Sequence, residues 1–359
     1  DITIDNVSVK EYLGKEVVTD SGCGAWLFEP QSTNLIPYSE DFSQWALINT
    51  TILLNNIVSP DGTLNADRIT ATSTGDAAFV RNTQVTQATS TTYSFSCFVK
   101  KGTTNFVRLA NRAIGSATTA SAWFDIENGV VGTLGSGLSS SKIEDFGNGW
   151  YRCIVIGTTG GTIANQLIDI AASTSNATFG VSANDYIFYW GAMFEQQSYD
   201  TSYIPTEGTI KTRNQDLCNN GGDVSLINSS EGVLYAEISG LADDGTARRF
   251  SLSDGTTNNV VEIGYTNISN EIKSRVKSSG NTVVNINYVV SDILSNVKIA
   301  LKYKQNDFAV WINGLEVLTD TSGAIPIGLS ELSFDRGDSL QPFFGNTKAL
   351  GVWKEALTD

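Results

Sequence analysis

The chain has 359 residues, of which 41% are hydrophobic and 17% charged, so two domains with ordinary cores are expected. Its formal net charge is −15, and it contains no histidine. The negative charge repels phosphate backbones and anionic membrane surfaces, and the lack of histidine removes the commonest general base and pH switch. We therefore expect no nucleic-acid partner, and no apolar run is long enough for membrane insertion.

The first 33 residues predict one strand and a connector. Residues 1–12 alternate apolar and polar side chains, which indicates a strand that either closes an upstream module or adds an edge strand here. Residues 13–33 are rich in glycine and predict a connector. The chain does not begin with methionine, so we expect it to be a piece of a longer polypeptide.

Residues 34–205 predict an antiparallel β-sandwich of the jelly-roll type. Turn signals such as Pro60-Asp61-Gly62 and Gly147-Asn148-Gly149 separate short alternating runs, with almost no helical period. The clearest strand candidates are 78–82, 92–100, 106–111, 121–126, 150–157, 167–172 and 185–196.

A polar, turn-rich linker is predicted at 206–231, and a second sandwich at 232–359. Asn313-Gly314 between two apolar runs is the strongest hairpin signal in the chain. The predicted strands are 233–241, 248–254, 259–266, 272–278, 283–290, 297–304, 307–314, 315–320, 331–336 and 343–357. The fold class is therefore all-β, with two antiparallel β-sandwich (jelly-roll) domains in tandem.

Trp311 is the main candidate for a binding residue. If Phe308, Val310 and Ile312 face the core, then Trp311 and Asn313 stand on the outer face of their sheet. The same alternation directs outward Glu262, Lys273, Arg275 and Lys302. An aromatic ring beside such donors suits an anionic or hydroxyl-rich glycan. The competing interpretation is that Trp311 covers a loop or a subunit contact.

Three other tryptophans are predicted to be structural. Trp190 lies in a strand that is apolar on both faces, and Trp45 is expected to fill the space between a loop and a sheet. Trp150 and Tyr151 point to opposite faces, so one of the two must be core.

Four acidic residues are candidate ligands for Ca²⁺. Glu40 and Asp41 lie in one loop, Asp61 lies in a second, and Asp67 follows it. Carboxylates are the ligands that Ca²⁺ prefers, so calcium with a structural role is the cofactor that this chain would hold. The alternative is that the acidity keeps the protein soluble, since Asp-Gly turns need no metal.

Catalysis is not expected. Carboxylates are the only side chains here suited to glycoside hydrolysis. The Glu-x-Asp-x-x-Glu pattern of concanavalin-like glycosidases is missing, because the strand that begins GVLYAEISGL offers a single acid, Glu237.

Several segments resemble known families. EPQSTNLIPYSEDFSQW (29–45), NADRI (65–69), GNGWYRC (147–153) and GAMFEQQSYDTSYIPTEGT (191–209) resemble the carbohydrate-binding-module-like jelly rolls of bacteriophage tail and structural proteins. DFAVWINGLEV (307–317) and FFGNTKALGVWKEALTD (343–359) look like the concanavalin A-like (laminin-G-like) lectin domain that often follows them. The resemblance implies a virion or surface-attached protein, with a calcium site as a common accessory and a glycan held on the concave sheet face.

The leading hypothesis is therefore a non-catalytic glycan-binding or adhesion module of a phage tail or other surface protein. Its expected partner is a polysaccharide or cell-surface glycan, and its expected location is the virion tail or the extracellular surface. Two alternatives stay open: a structural virion-appendage module without glycan binding, and accessory domains of a polysaccharide-degrading enzyme. Homo-oligomers formed through neighbouring modules are a further expectation.

Overall fold

The computed structural model describes residues 25–75, 77–115, 119–160 and 168–357. They form two compact units. We call residues 31–214 the first sandwich, and residues 25–30 together with 215–357 the second sandwich. The strand predicted at 1–12 lies outside the described residues, as does the connector up to residue 24.

The first sandwich is built from two antiparallel sheets. Strands are numbered in chain order, and β1 (Trp26–Phe28) belongs to the second sandwich. The strands of the first sandwich are β2 (Ser32–Asn34), β3 (Ala46–Ile48), β4 (Thr50–Val58), β5 (Leu64–Ala71), β6 (Ala78–Asn82), β7 (Thr92–Lys101), β8 (Phe106–Asn111), β9 (Ser121–Asp125), β10 (Val130–Leu134), β11 (Ser140–Gly147), β12 (Trp150–Thr158), β13 (Ile168–Ser173), β14 (Tyr186–Glu195) and β15 (Lys211–Arg213). Within the described residues, the sheets run β10-β9-β8-β13-β6-β3 and β11-β12-β7-β14-β5-β4. A 3₁₀ turn spans Phe42–Gln44, and β2 pairs with β15.

Strand β7 shows why this domain is apolar on more than one face. Phe95, Cys97 and Val99 point into the core between the two sheets. Phe98 points outward, yet it is also buried, because it joins Trp150 and Trp190 in a smaller apolar cluster. We call this group, with Ala66 and the half-buried Tyr203, the outer cluster. Trp150 and Trp190 are therefore structural, and Trp45 lies in the main core.

The second sandwich packs a six-stranded sheet on a five-stranded sheet, counted over the part of the chain that the structure describes. Its strands are β1, β16 (Glu231–Gly240), β17 (Arg248–Ser253), β18 (Val260–Tyr265), β19 (Glu271–Ser278), β20 (Asn281–Val289), β21 (Val297–Lys304), β22 (Phe308–Ile312), β23 (Leu315–Asp320), β24 (Glu331–Ser333) and β25 (Gly345–Trp353). The sheet orders are β1-β25-β16-β21-β22-β23 and β20-β19-β18-β17-β24, and all pairings within them are antiparallel.

The all-β prediction is confirmed, and so is the hairpin at Asn313-Gly314. Both turn residues have positive φ, 52° and 82°, as a two-residue turn between twisted strands requires. In the described ranges there is no α-helix, and so no helix that could span a membrane.

Two segments that the sequence predicts as a connector and a linker contain short strands. The predicted connector 13–33 contains β1, which pairs with β25, and most of β2, which pairs with β15. The predicted linker 206–231 contains β15. These strands have three residues each, which is too short for an alternating pattern to be recognised in sequence.

Candidate ligand-binding face of the second sandwich

Trp311 stands on the outer face of the six-stranded sheet. In β22, Phe308, Val310 and Ile312 are buried in the core, with 0%, 0% and 3% of their surface exposed. Since side chains alternate along a strand, Trp311 projects away from that core, where it is half-buried. The orientation predicted for Trp311 relative to its own strand matches the structure.

Strand register places a second aromatic residue on the same row as Trp311. Trp311 is opposite Ala300 of β21, Ala300 is opposite Tyr235 of β16, and Tyr235 is opposite Gly351 of β25. Neighbouring strands are about 4.8 Å apart, so the Tyr235 and Trp311 backbones are separated by about 10 Å. Ala300 between them leaves a shallow groove with one aromatic residue on each side.

Trp353 extends this aromatic surface beyond Tyr235. The two rings meet edge to face, with centroids 6.2 Å apart and an interplanar angle of 73°. The indole of Trp353 lies over Gly351, where an added Cβ would overlap the ring. Trp353 remains 42% exposed. We call Tyr235, Trp311 and Trp353 the aromatic face.

Lys302 supports Trp311 from one side. Its side chain is 3% exposed, and Nζ lies 2.9 Å from an Asp307 carboxylate oxygen and 5.7 Å from the centroid of the Trp311 ring. A cation at that distance stabilises an indole ring and restricts its motion. Lys302 is therefore on the same outer face as Trp311, as the alternation predicts, but its charge is buried against Asp307 and the Trp311 ring, where it positions that ring.

Glu262 and Arg275 do not lie beside Trp311, contrary to the prediction. They belong to β18 and β19 of the five-stranded sheet, whereas Trp311 is on the outer face of the six-stranded sheet. Glu262 is fully buried, and its carboxylate forms two contacts of 2.9 Å with the Arg275 guanidinium. Alternation shows which way a side chain points from its own sheet, but not which sheet of a sandwich carries the strand.

Asn313 has a turn-forming role. Its side-chain Oδ1 accepts a hydrogen bond from the Lys298 backbone N–H at 2.9 Å, and its own N–H donates to the Lys298 carbonyl at 2.8 Å. The side chain therefore closes the β22–β23 turn against the start of β21. Its predicted contact with a glycan remains a prediction.

Sequence reasoning missed Tyr235 and Trp353. The signal for Tyr235 is present in β16, where Leu234, Ala236 and Ile238 are core residues and leave Tyr235 on the outer face. Trp353 comes near the end of a strand with a bulge in its pairing to β16, which shifts the alternation.

The four predicted calcium ligands have protein partners. Glu40 accepts hydrogen bonds from the Tyr203 hydroxyl and from Asn65 Nδ2, both at 3.0 Å. Asp41 caps the 3₁₀ turn, and Asp61 accepts from Thr63 N at 2.8 Å. Asp67 accepts from two backbone N–H groups. No three Asp, Glu or Cys side chains of the described segments converge as a metal-holding group. Calcium at these residues remains a prediction.

The burial of the Asp67 carboxylate can be tested by its pH titration. Burial raises its pKa to about 6, with Asp41 and Glu40 acting in the same direction, against hydrogen bonds from the Asn55 and Phe42 backbones that lower it. A folded pKa above the unfolded value means that the folded state binds the extra proton, so stability falls as pH rises from about 4 to about 6. We expect the Asp67 carboxyl carbon to titrate by NMR with a midpoint near 6. A midpoint below 4.5 would contradict the burial argument.

No family model matches the chain, and no curated protein matches it. Domains LG4-5 of the mouse laminin alpha1 chain are a solved structure similar to it. The match covers 78% of this chain and 86% of that chain, with 8% identity and a TM-score of 0.27. A likeness of this size carries no argument about function.

Proposed function

We propose that the second sandwich is a non-catalytic glycan-binding module and that the aromatic face is its binding surface. The observation that carries the proposal is the row Tyr235–Ala300–Trp311, in which two aromatic side chains flank a small residue on an outer sheet face. The C–H faces of sugar rings pack on aromatic planes, and the gap over Ala300 leaves room for a ring beside Trp311.

The charges near the aromatic face favour a neutral, hydroxyl-rich glycan. Lys302 is paired with Asp307, and Glu237 lies 3.1 Å from Lys348 Nζ. These two ion pairs are already satisfied within the chain, and the exposed Glu316 opposite Trp311 adds a negative charge that disfavours an anionic ligand. Glu237 is the acid nearest to Tyr235 along β16, and its carboxylate is engaged by Lys348. A carboxylate held in an ion pair is a poor catalytic acid, which supports a binding role without bond cleavage.

The test is a titration of the full chain with neutral oligosaccharides chosen from a glycan array. We expect Trp311→Ala to weaken the best ligand by about tenfold to a hundredfold, the effect of removing a central aromatic contact. The matched control is Trp26→Ala. Trp26 is 41% exposed, and its partner Thr347 is buried opposite the core residue Ile238, so Trp26 faces away from the aromatic face. Equal affinities for the wild-type chain and Trp311→Ala would contradict the proposal.

The setting that we propose for such a module is a phage tail or another extracellular surface. The segments at 29–45 and 307–317 motivate it through their family resemblance. Accessory domains of a polysaccharide-degrading enzyme would use the same aromatic face, and any domains that neighbour this chain in the full-length protein would distinguish these settings.

A structural role is the second candidate, favoured by one feature of the first sandwich. Edge strand β4 exposes Leu53, Leu54 and Val58 at 53%, 43% and 53%, and β5 begins at Leu64, which is 61% exposed. An apolar edge strand of this kind is a surface on which another chain can pack. Stable oligomers in light scattering, together with no binding across a broad glycan array, would favour this candidate.

A further inference from the structure

The outer face of the five-stranded sheet carries a group of cations, although the chain as a whole has a charge of −15. Arg249 of β17 is opposite Gly264 of β18, which is opposite Lys273 of β19. Gly264 has no side chain, so no side chain separates the two cations on this row. On the next row, Ser251 is opposite Glu262 and Glu262 is opposite Arg275.

The positive charge of Arg249 is not fully neutralised by the acidic side chain on these two rows. The Glu262 carboxylate is engaged by Arg275 on both oxygens at 2.9 Å, whereas Arg249 Nε is 3.7 Å from Glu262 Oε1. Arg336 is paired with Asp338. Lys273 donates to the Asn285 side chain at 2.7 Å, so its charge is not met by a carboxylate there. Arg249 is thus a cation whose nearest acid is already shared with another arginine.

Arg249 also has hydrogen-bonding capacity that the described residues do not use. Its side chain is 6% exposed, Nε has no hydrogen-bond partner, and Nη1 donates to the Arg248 carbonyl at 3.1 Å. Burial lowers the pKa of Arg249 to about 10, and the nearby Arg275 and Arg336 add to the shift against the attraction of Glu262. The group is still charged at neutral pH. A buried guanidinium with unused donors binds an incoming oxyanion strongly.

An open cleft is lined in part by Arg249. It has a volume of about 630 Å³, and its lining includes Thr246, Arg249, Asn267, Gln341, Pro342 and Phe344. The amide and hydroxyl side chains can bond to sugar hydroxyls, while Pro342 and Phe344 offer apolar surface to a ring. The volume is in the range of small-molecule sites.

We propose that this cleft is a second ligand site, which binds the carboxylate of an acidic sugar through Arg249. A carboxylate matches the planar fork of a guanidinium, and Lys273 on the same row adds positive potential. The site is on the sheet opposite the aromatic face and does not depend on it. Loss of ligand binding at the aromatic face therefore does not imply loss of binding in the cleft, and the reverse also holds.

The test is calorimetric titration of the full chain with tetragalacturonate and with its methyl ester, which has the same rings without the charge. We expect the acid to bind at least tenfold more tightly than the ester. Arg249→Gln should remove that preference, and Arg249→Lys, which keeps the charge but loses the fork, should reduce it. The control is Lys277→Gln, a charge removal two residues along β19 from Arg275 and outside the cleft lining, which should change nothing.

Three results would overturn the proposal. The first is equal binding of acid and ester by the wild-type chain, which needs no variant to fold. The second is an unchanged preference in Arg249→Gln. The third is binding of tetraglutamate as tight as that of tetragalacturonate, which would show an acidic peptide rather than a sugar as the ligand. Trp311→Ala should leave the acid preference intact, so failure of this proposal is distinguishable from failure of the aromatic face.

Discussion

Replacement of Gly264 by alanine is expected to destabilise the second sandwich by about 4 kcal/mol, the sum of backbone strain and steric overlap. Gly264 has φ +151°, a conformation that other residues rarely adopt. A Cβ at this position would also overlap the carbonyl oxygen of Arg248 on the paired strand β17. Neither problem is relieved by a side-chain rotation, because the overlapping atom belongs to the backbone.

Hydrogen exchange of the β17 and β18 amides, measured together with urea unfolding, tests this expectation. The matched control is Gly314→Ala, since Gly314 also has positive φ (82°) but has no atom within 4 Å of an added Cβ. The control should cost only about 1–2 kcal/mol, the penalty for a left-handed residue with a side chain. Equal losses of unfolding free energy in the two variants would show that the overlap with the Arg248 carbonyl contributes nothing to the destabilisation.

Replacement of Trp190 by alanine is expected to destabilise the first sandwich by about 3–5 kcal/mol, the usual cost of removing a buried tryptophan. The Trp190 side chain is 2% exposed. Its ring packs on Phe98 and Tyr203, with centroids 5.1 and 4.8 Å away. Removing the ring would leave a cavity at the centre of the outer cluster. The strands beneath the cluster are held in place by the main core and cannot move to fill that cavity.

Urea unfolding of Trp190→Ala, compared with Trp26→Ala, checks this value. Trp26 is 41% exposed, so its removal should cost less than about 1 kcal/mol. A loss below about 1 kcal/mol in Trp190→Ala would mean that the outer cluster contributes little to stability. The same result would weaken the assignment of Trp190 as structural rather than ligand-binding.

Strands with strong alternation or a clear turn could be predicted from the sequence. The run 92–100 became β7, and Asn313-Gly314 formed the expected hairpin. Strand β4 was missed because TTILLNNIV has no period of two, and its pairing with β5 is interrupted near Asn55, which has positive φ. Local irregularities of this kind remove the pattern on which sequence reasoning depends.

The candidate site could be predicted only in part, because a sandwich has two outer faces. Trp311 is on an outer face, as its neighbours in β22 predict. Glu262 and Arg275 are also on an outer face, but on that of the opposite sheet. Side-chain alternation is a property of one strand, whereas the assignment of strands to sheets depends on pairings between residues distant in sequence. The groove over Ala300 depends on such pairings and is not visible in any single segment.

The aromatic face is tested most directly by following the indole N–H signals of the chain's seven tryptophans by NMR during titration with a bound neutral oligosaccharide. If sugar rings pack on that face, the Trp311 and Trp353 signals shift together and saturate with the ligand, while those of Trp26, Trp150 and Trp190 stay in place. Saturable shifts confined to tryptophans of the first sandwich, with Trp311 unmoved, would contradict the account.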